Sequence, residues 1–129
     1  EADLKLQLAA QNDRLPVADR VRGALVDLMP AGRTGAEDVG LALGISRSTL
    51  QRRLREEGTS YQEVLDATRR DLAIRYLTKT TLRADEIANV LAYRDANSFS
   101  RSFRRWTGQA PVGYRQALAR PTTRTGETE

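Results

Sequence analysis

The sequence predicts an all-α fold of about seven helices, built as two copies of one small helical subdomain joined by a long linking helix. Three observations carry this. Apolar residues recur at 3- and 4-residue spacing from Val17 onward, the period of a helix that buries one stripe. Capping residues and helix-ending glycines fall at the edges of those stripes. The pattern of residues 36–58 returns over residues 84–108, which marks an internal duplication.

Residues 1–15 read as a linker or a frayed N-terminal segment. Pro16 suits a first helical turn, where its missing N–H is not needed. Val17, Val21, Leu25 and Leu28 then give an amphipathic helix that stops before Pro30, and residues 31–35 are loop. A short helix over 36–43 turns Val39, Ala42 and Leu43 inward and ends at Gly44. Ser46 is the N-cap of the next helix, which buries Leu50 and Leu54 and runs to about Glu57, before Gly58. These elements make a first subdomain, 16–58. Ser60 with Glu63 three residues later is a capping box. It opens the longest helix, to about Thr78, inside a joining stretch 59–79. Tyr61, Leu65, Thr68, Leu72 and Tyr76 form its stripe, with Val64, Ala73 and Leu77 beside it.

Over 80–119 the first pattern repeats. Ala36-Glu37-Asp38-Val39 recurs as Ala84-Asp85-Glu86-Ile87, Leu50 and Leu54 recur as Phe99 and Phe103, and Gly58 returns as Gly108. The offset grows from 48 to 50 residues, so the length differences lie in turns and helix ends, where they are tolerated best. Each copy reads as a short helix, a tight turn and a second helix, the helix-turn-helix arrangement. Asp95 is the expected N-cap of the later second helix. Trp106 is expected in the core beneath a last helix from Pro111 to about Ala119. Residues 120–129, rich in Thr with Pro and Gly, have little to bury and are expected to be disordered.

Composition narrows the function. The chain has 129 residues, with 21 Lys+Arg against 17 Asp+Glu and neither His nor Cys. It therefore lacks the means for a zinc finger, a disulfide framework, a Ser-His-Asp triad or a Cys nucleophile. No metal or cofactor is expected, and most enzyme readings lose their chemistry. No stretch approaches the roughly 18 to 20 apolar residues of a membrane span, so no membrane partner is expected. With Glu at position 1 and Met29 the only methionine, the chain is expected to be a piece of a longer protein.

Arginine supplies 19 of the 21 cations. Its planar fork of donors suits phosphates and guanine edges. GC-rich coding DNA also raises Ala and Arg, so the total says less than the clustering. Residues 46–55 hold four arginines and no acid, and residues 94–124 hold seven with Asp95 as the only acid. In the first copy Arg47, Ser48, Gln51, Arg52 and Arg55 point away from Leu50 and Leu54. In the second, Asn97, Ser98, Arg101, Arg104 and Arg105 point away from Phe99 and Phe103. An ordinary solvated face of a helical bundle alternates signs and pairs i with i+4, and these faces are expected hardly to do so. Arg, Gln, Asn and Ser are the side chains that read base edges and grip phosphates. The reading is double-stranded DNA binding. A linking helix of 19 residues (60–78) is about 28 Å long, close to the spacing of about 34 Å between successive major-groove faces. One chain can then read two adjacent groove segments.

The most diagnostic residues are Ile87-Ala88, Tyr93, Asp95, Phe99-Ser100-Arg101, Phe103, Gly108, Pro111 and Tyr114-Arg115, joined by Arg69, Ala73 and Leu77 and by Ser46, Leu50 and Arg52. In order and spacing they make the chain, from about Pro16 to Ala119, resemble the DNA-binding domain of AraC/XylS-family bacterial transcription regulators. Two positions depart from the family pattern. Ala92 stands where the family usually has Gly, which implies a shifted or strained turn, and Gly58 follows Leu54 one residue early. Carried over by motif position, the resemblance implies base reading by Ser48, Gln51 and Arg52 in the first unit and by Asn97, Ser98 and Arg101 in the second. It assigns Arg47, Thr49, Arg55, Arg104 and Arg105 to phosphates and Arg69 to tying the units together. It further implies a cytoplasmic transcription regulator with an effector and dimerisation domain preceding Glu1; RNA polymerase is a candidate second partner, compatible with DNA binding. Two rivals come from other classes. DNA alkylation-repair methyltransferases share such a domain but need reactive cysteines. A helical protein-interaction module, contacting RNA polymerase without reading DNA, stays open.

Overall fold

The computed structural model describes residues 15–119, which form seven α-helices and one 3₁₀ turn, with no strand among them. The helices are α1 (Val17–Leu28), α2 (Ala36–Leu43), α3 (Arg47–Glu56), α4 (Tyr61–Lys79), α5 (Ala84–Val90), α6 (Ala96–Thr107) and α7 (Pro111–Ala119), and the 3₁₀ turn is Met29–Ala31. The expectations for residues 1–14 and 120–129 lie outside the described residues. The chain forms two compact units that divide within α4, between Arg69 and Arg70.

In the first unit α1 packs against α2 and α3. Its i, i+4 residues Val17, Val21 and Leu25 are buried together with Val39, Leu50, Leu54, Val64 and Leu65. As expected, α1 ends before Pro30, at Leu28; the chain continues directly into the 3₁₀ turn, with Pro30 in its first positions and Met29 buried. Proline has no N–H to donate, so the α-helical ladder ends with the Met29 N–H, which reaches the Leu25 carbonyl. The inner stripe of α2 also differs from expectation. Ala42 is exposed and Gly40 is buried in its place, so the stripe runs 36, 39, 40, 43. A Cβ on Gly40 would lie 2.7 Å from the Ile45 carbonyl oxygen, so only glycine lets the turn close this tightly.

Pro16 gives α1 no side-chain cap. The cap comes instead from Glu57, whose carboxylate accepts the N–H groups of Val17 at 2.6 Å and Ala18 at 2.9 Å. A carboxylate at a helix N-terminus satisfies orphan donors and complements the dipole. The α4 end carries half of the expected capping box. Ser60 Oγ accepts the Glu63 N–H at 3.2 Å, while the Glu63 carboxylate accepts the Thr59 hydroxyl at 3.0 Å. The Tyr61 hydroxyl donates to the Thr34 carbonyl at 2.6 Å. Burial, with Asp38 adding to it and Arg69 opposing, pushes this phenol up to about 12, so it stays a donor. Thr68, the polar residue among the buried ones, donates to the Val64 carbonyl at 2.7 Å.

In the second unit Ile87, Ala88, Leu91, Phe99 and Phe103 are buried, with Ala73 and Leu77 from α4. Phe103 meets Tyr114 edge-on at 5.1 Å and lies 5.8 Å from Phe99. Trp106 is half-buried, 6.3 Å from Phe103. It borders the aromatic cluster rather than filling the core. Arg115 belongs to the C-terminal basic run, yet its guanidinium donates to the carbonyls of Leu77 at 3.0 Å and of Tyr76 and Thr80 at 3.2 Å each. It closes the C-terminal end of α4, where the dipole favours a cation, and shares the Tyr76 carbonyl with the Thr80 N–H and hydroxyl.

Candidate nucleic-acid interface

Both helix-turn-helix copies launch their second helix by the same backbone device. In the first turn the Ile45 N–H reaches back to the Gly40 carbonyl at 2.9 Å, and in the second the Tyr93 N–H reaches the Ala88 carbonyl at 3.0 Å. The intervening residue is left-handed in each, Gly44 at φ 75° and Ala92 at φ 64°. Gly58 and Gly108, at φ 86° and 83°, follow the two second helices in the same conformation. Ala92 is the non-glycine residue with positive φ among those described, as its departure from the family pattern implied. The missing residue before Gly58 leaves α3 ending at Glu56, with Glu57 as its C-cap.

Each second helix then has a side-chain N-cap. Ser46 Oγ accepts the Thr49 N–H at 3.1 Å, and the Asp95 carboxylate accepts the Ser98 N–H at 2.8 Å. That bond, with the Ser98 hydroxyl and the cations Arg94 and Arg101 nearby, holds the Asp95 carboxyl below its ordinary range. The caps fix where the polar face begins, because they set the first residue whose side chain leaves the turn.

The sequence-derived site residues fall on these two helices. Arg47, Ser48, Thr49, Gln51, Arg52 and Arg55 lie on α3, and Asn97, Ser98, Arg101, Arg104 and Arg105 lie on α6. Leu50 and Leu54, and Phe99 and Phe103, are fully buried on the opposite faces. Arg47, Ser48, Arg52, Arg55, Asn97, Arg101, Arg104 and Arg105 are exposed, whereas Thr49, Gln51 and Ser98 are half-buried. Arg53, outside the set expected from the sequence, is exposed as well.

The expectation that these faces hardly pair their charges needs correction for α3. Arg52 Nη1 lies 3.3 Å from Glu56 Oε2, one turn on, and Arg47 Nη1 lies 3.7 Å from Glu37 Oε2 on α2. Glu56 falls just past the acid-free window of residues 46–55, and Glu37 comes from another helix, so neither shows in a local charge count. All four side chains are more than half exposed. Such exposed pairs are worth about 0 to 1 kcal/mol. On α6 the partners are neutral: Arg101 donates to Ser98 Oγ and Arg105 to Ser102 Oγ, each at 3.3 Å.

Among the described residues no group of three or more His, Cys, Asp or Glu can hold a metal ion. No helix there is long and apolar enough to cross a membrane.

The helix-turn-helix domain family matches residues 41–117. The ornithine utilization regulator of Pseudomonas aeruginosa is 43% identical over 98 residues, which cover 76% of this chain and 29% of that protein. The HTH-type transcriptional regulator VirS of Mycobacterium tuberculosis is 37% identical over 99 residues, 77% of this chain and 29% of that protein. The chain thus spans less than a third of the length of these curated relatives. Among solved structures, the DNA-binding domain of AdpA, a global transcriptional factor, in complex with a target DNA, superimposes with a TM-score of 0.65 at 28% identity. That match covers 88% of this chain and 97% of that one.

Proposed function

The chain belongs to the AraC-type helix-turn-helix family of transcription regulators, and from that premise we propose that it binds double-stranded DNA sequence-specifically, with α3 and α6 each inserted in a major-groove segment of one duplex. The observation that carries this is the repetition of one device. Each copy buries two large apolar residues on one side of an N-capped helix and presents arginines with Ser, Gln or Asn on the other. Side chains near the start of such a helix reach base edges. On that ground Ser48, Gln51 and Arg52 read bases from α3, and Asn97, Ser98 and Arg101 read them from α6. Arg47, Thr49, Arg55, Arg104 and Arg105 hold the flanking phosphates, which position the protein without carrying sequence information.

The family and fold are those of DNA-binding regulators, and the chain acts as a binding module with no chemistry of its own, in the bacterial cytoplasm. The test is selection of a random duplex library on the immobilised chain. Recovery of a consensus spanning two segments about one helical turn apart supports the reading. Retention of no duplex at low salt would overturn it and favour a protein-interaction module.

A further inference from the structure

The exposed face of α3 carries arginines and one acid. Glu56 lies one turn beyond Arg52, and its Oε2 sits 3.3 Å from Arg52 Nη1. Its neighbour Glu57 has a structural duty, the cap on Val17 and Ala18. Glu56 has none of that kind: its side chain is 62% exposed and Arg52 is the partner the structure gives it. An exposed helical i, i+4 ion pair adds little to stability. For simple affinity the sign is wrong, since a carboxylate on a surface that meets phosphates repels them. Orientation is the remaining role. Arginine offers five donors in a planar fork, and Glu56 engages Nη1, so the guanidinium gives up rotamer freedom while keeping donors for a base edge.

We propose that Glu56 is a positioning residue for Arg52 and thereby a specificity determinant of the first reading helix. It aims the guanidinium at the O6 and N7 acceptors of a guanine. It also penalises duplexes lacking that edge, because there the carboxylate approaches the phosphates with nothing gained in return. Specificity of this kind comes from a repulsive element as much as from an attractive one. On α6 Arg101 and Arg105 donate to serines, and the acid near that face, Asp95, is engaged in capping the Ser98 N–H.

The proposal rests on the DNA-binding reading, and its test separates the two. The probes are the duplex selected by the unaltered chain and the same duplex changed at the base pair where Arg52→Ala loses discrimination. Binding of Glu56→Gln, Arg52→Ala and the double variant is measured at about 0.1 M salt, with helix content checked by circular dichroism. Glu56→Gln is expected to bind the changed duplex about two- to threefold tighter, the size of one exposed charge interaction. The ratio between the two duplexes is expected to fall about five- to tenfold, part of what a bidentate arginine contributes. In the Arg52→Ala background Glu56→Gln should leave the ratio unmoved, and with Arg52 present Glu56→Asp should keep part of the ratio that Glu56→Gln loses. Equal tightening on both duplexes would make Glu56 a repulsive charge only and overturn the proposal. So would an Arg52→Ala variant that loses no discrimination at any position, or an equal effect of Glu56→Gln with Arg52 absent. A chain that selects no duplex overturns the DNA-binding reading and this proposal together.

Discussion

Gly44 and Ala92 stand at the same point of the two turns and adopt the same left-handed backbone, at φ 75° and 64°. A side chain in that region costs about 1 to 2 kcal/mol, and glycine avoids it. Part of the benefit is returned through the greater freedom of glycine in the unfolded chain, about 0.5 to 1 kcal/mol. Ala92→Gly is therefore expected to stabilise the second unit by about 0.5 to 1 kcal/mol. Gly44→Ala should destabilise the first by a similar amount. Urea unfolding of both variants checks this, and a loss of stability in Ala92→Gly would contradict the strain reading.

Glu57 joins the end of α3 to the start of α1 through the Val17 and Ala18 amides. Losing a helix cap costs about 0.5 to 2 kcal/mol, and Glu57→Ala is expected to fall in that range. The decisive readout is amide hydrogen exchange at Val17 and Ala18, which should accelerate in Glu57→Ala but not in Glu56→Gln. Unchanged protection at both amides would rule out the cap.

Much of this fold was legible in the sequence because it rests on local rules. The bounds of α2 and α7, the N-caps Ser46 and Asp95, the left-handed strain at Ala92 and the buried pairs on α3 and α6 all follow from spacing and cap chemistry. What escaped depends on contacts between segments. The inward turn of Gly40 in place of Ala42 is set by the approach of Ile45. The cap from Glu57 crosses 40 positions, and the use of Arg115 on the end of α4 crosses 38. The placement of the candidate site residues on α3 and α6, opposite the buried pairs, was legible from a helical wheel. The pairing of Arg47 with Glu37 and of Arg52 with Glu56 was not, because a window drawn around one basic run excludes both acids.

Asp95 ties stability to pH. Its carboxyl is held below the ordinary aspartate range, first by the Ser98 N–H. A depressed carboxyl contributes stability above its unfolded value and loses it as pH falls through the folded value. Asp95→Asn keeps a capping side chain but not the charge. It is expected to be less stable than the parent at neutral pH, with the gap closing as pH drops from the ordinary aspartate value to the lower folded one. Urea midpoints of both proteins across that window check it; a gap independent of pH would show that the charge contributes nothing.

Arg101 and Arg105 occupy the same helix with different assigned duties. Arg101→Ala should remove about 1 to 3 kcal/mol of discrimination at one base pair, whereas Arg105→Ala should weaken all duplexes alike. Competition binding against single-substituted duplexes distinguishes them. Equal loss on specific and non-specific DNA in Arg101→Ala would move that residue to the phosphate-gripping set.

The claim that two arginine-rich helix faces grip a DNA backbone is tested most directly by the salt dependence of binding. For a duplex selected by the chain, affinity measured by fluorescence anisotropy should fall log-linearly with salt. Neutralising roughly 6 to 10 phosphates predicts a loss of about 10³ to 10⁵ between 50 and 200 mM. Affinity that stays flat over that range would contradict the account.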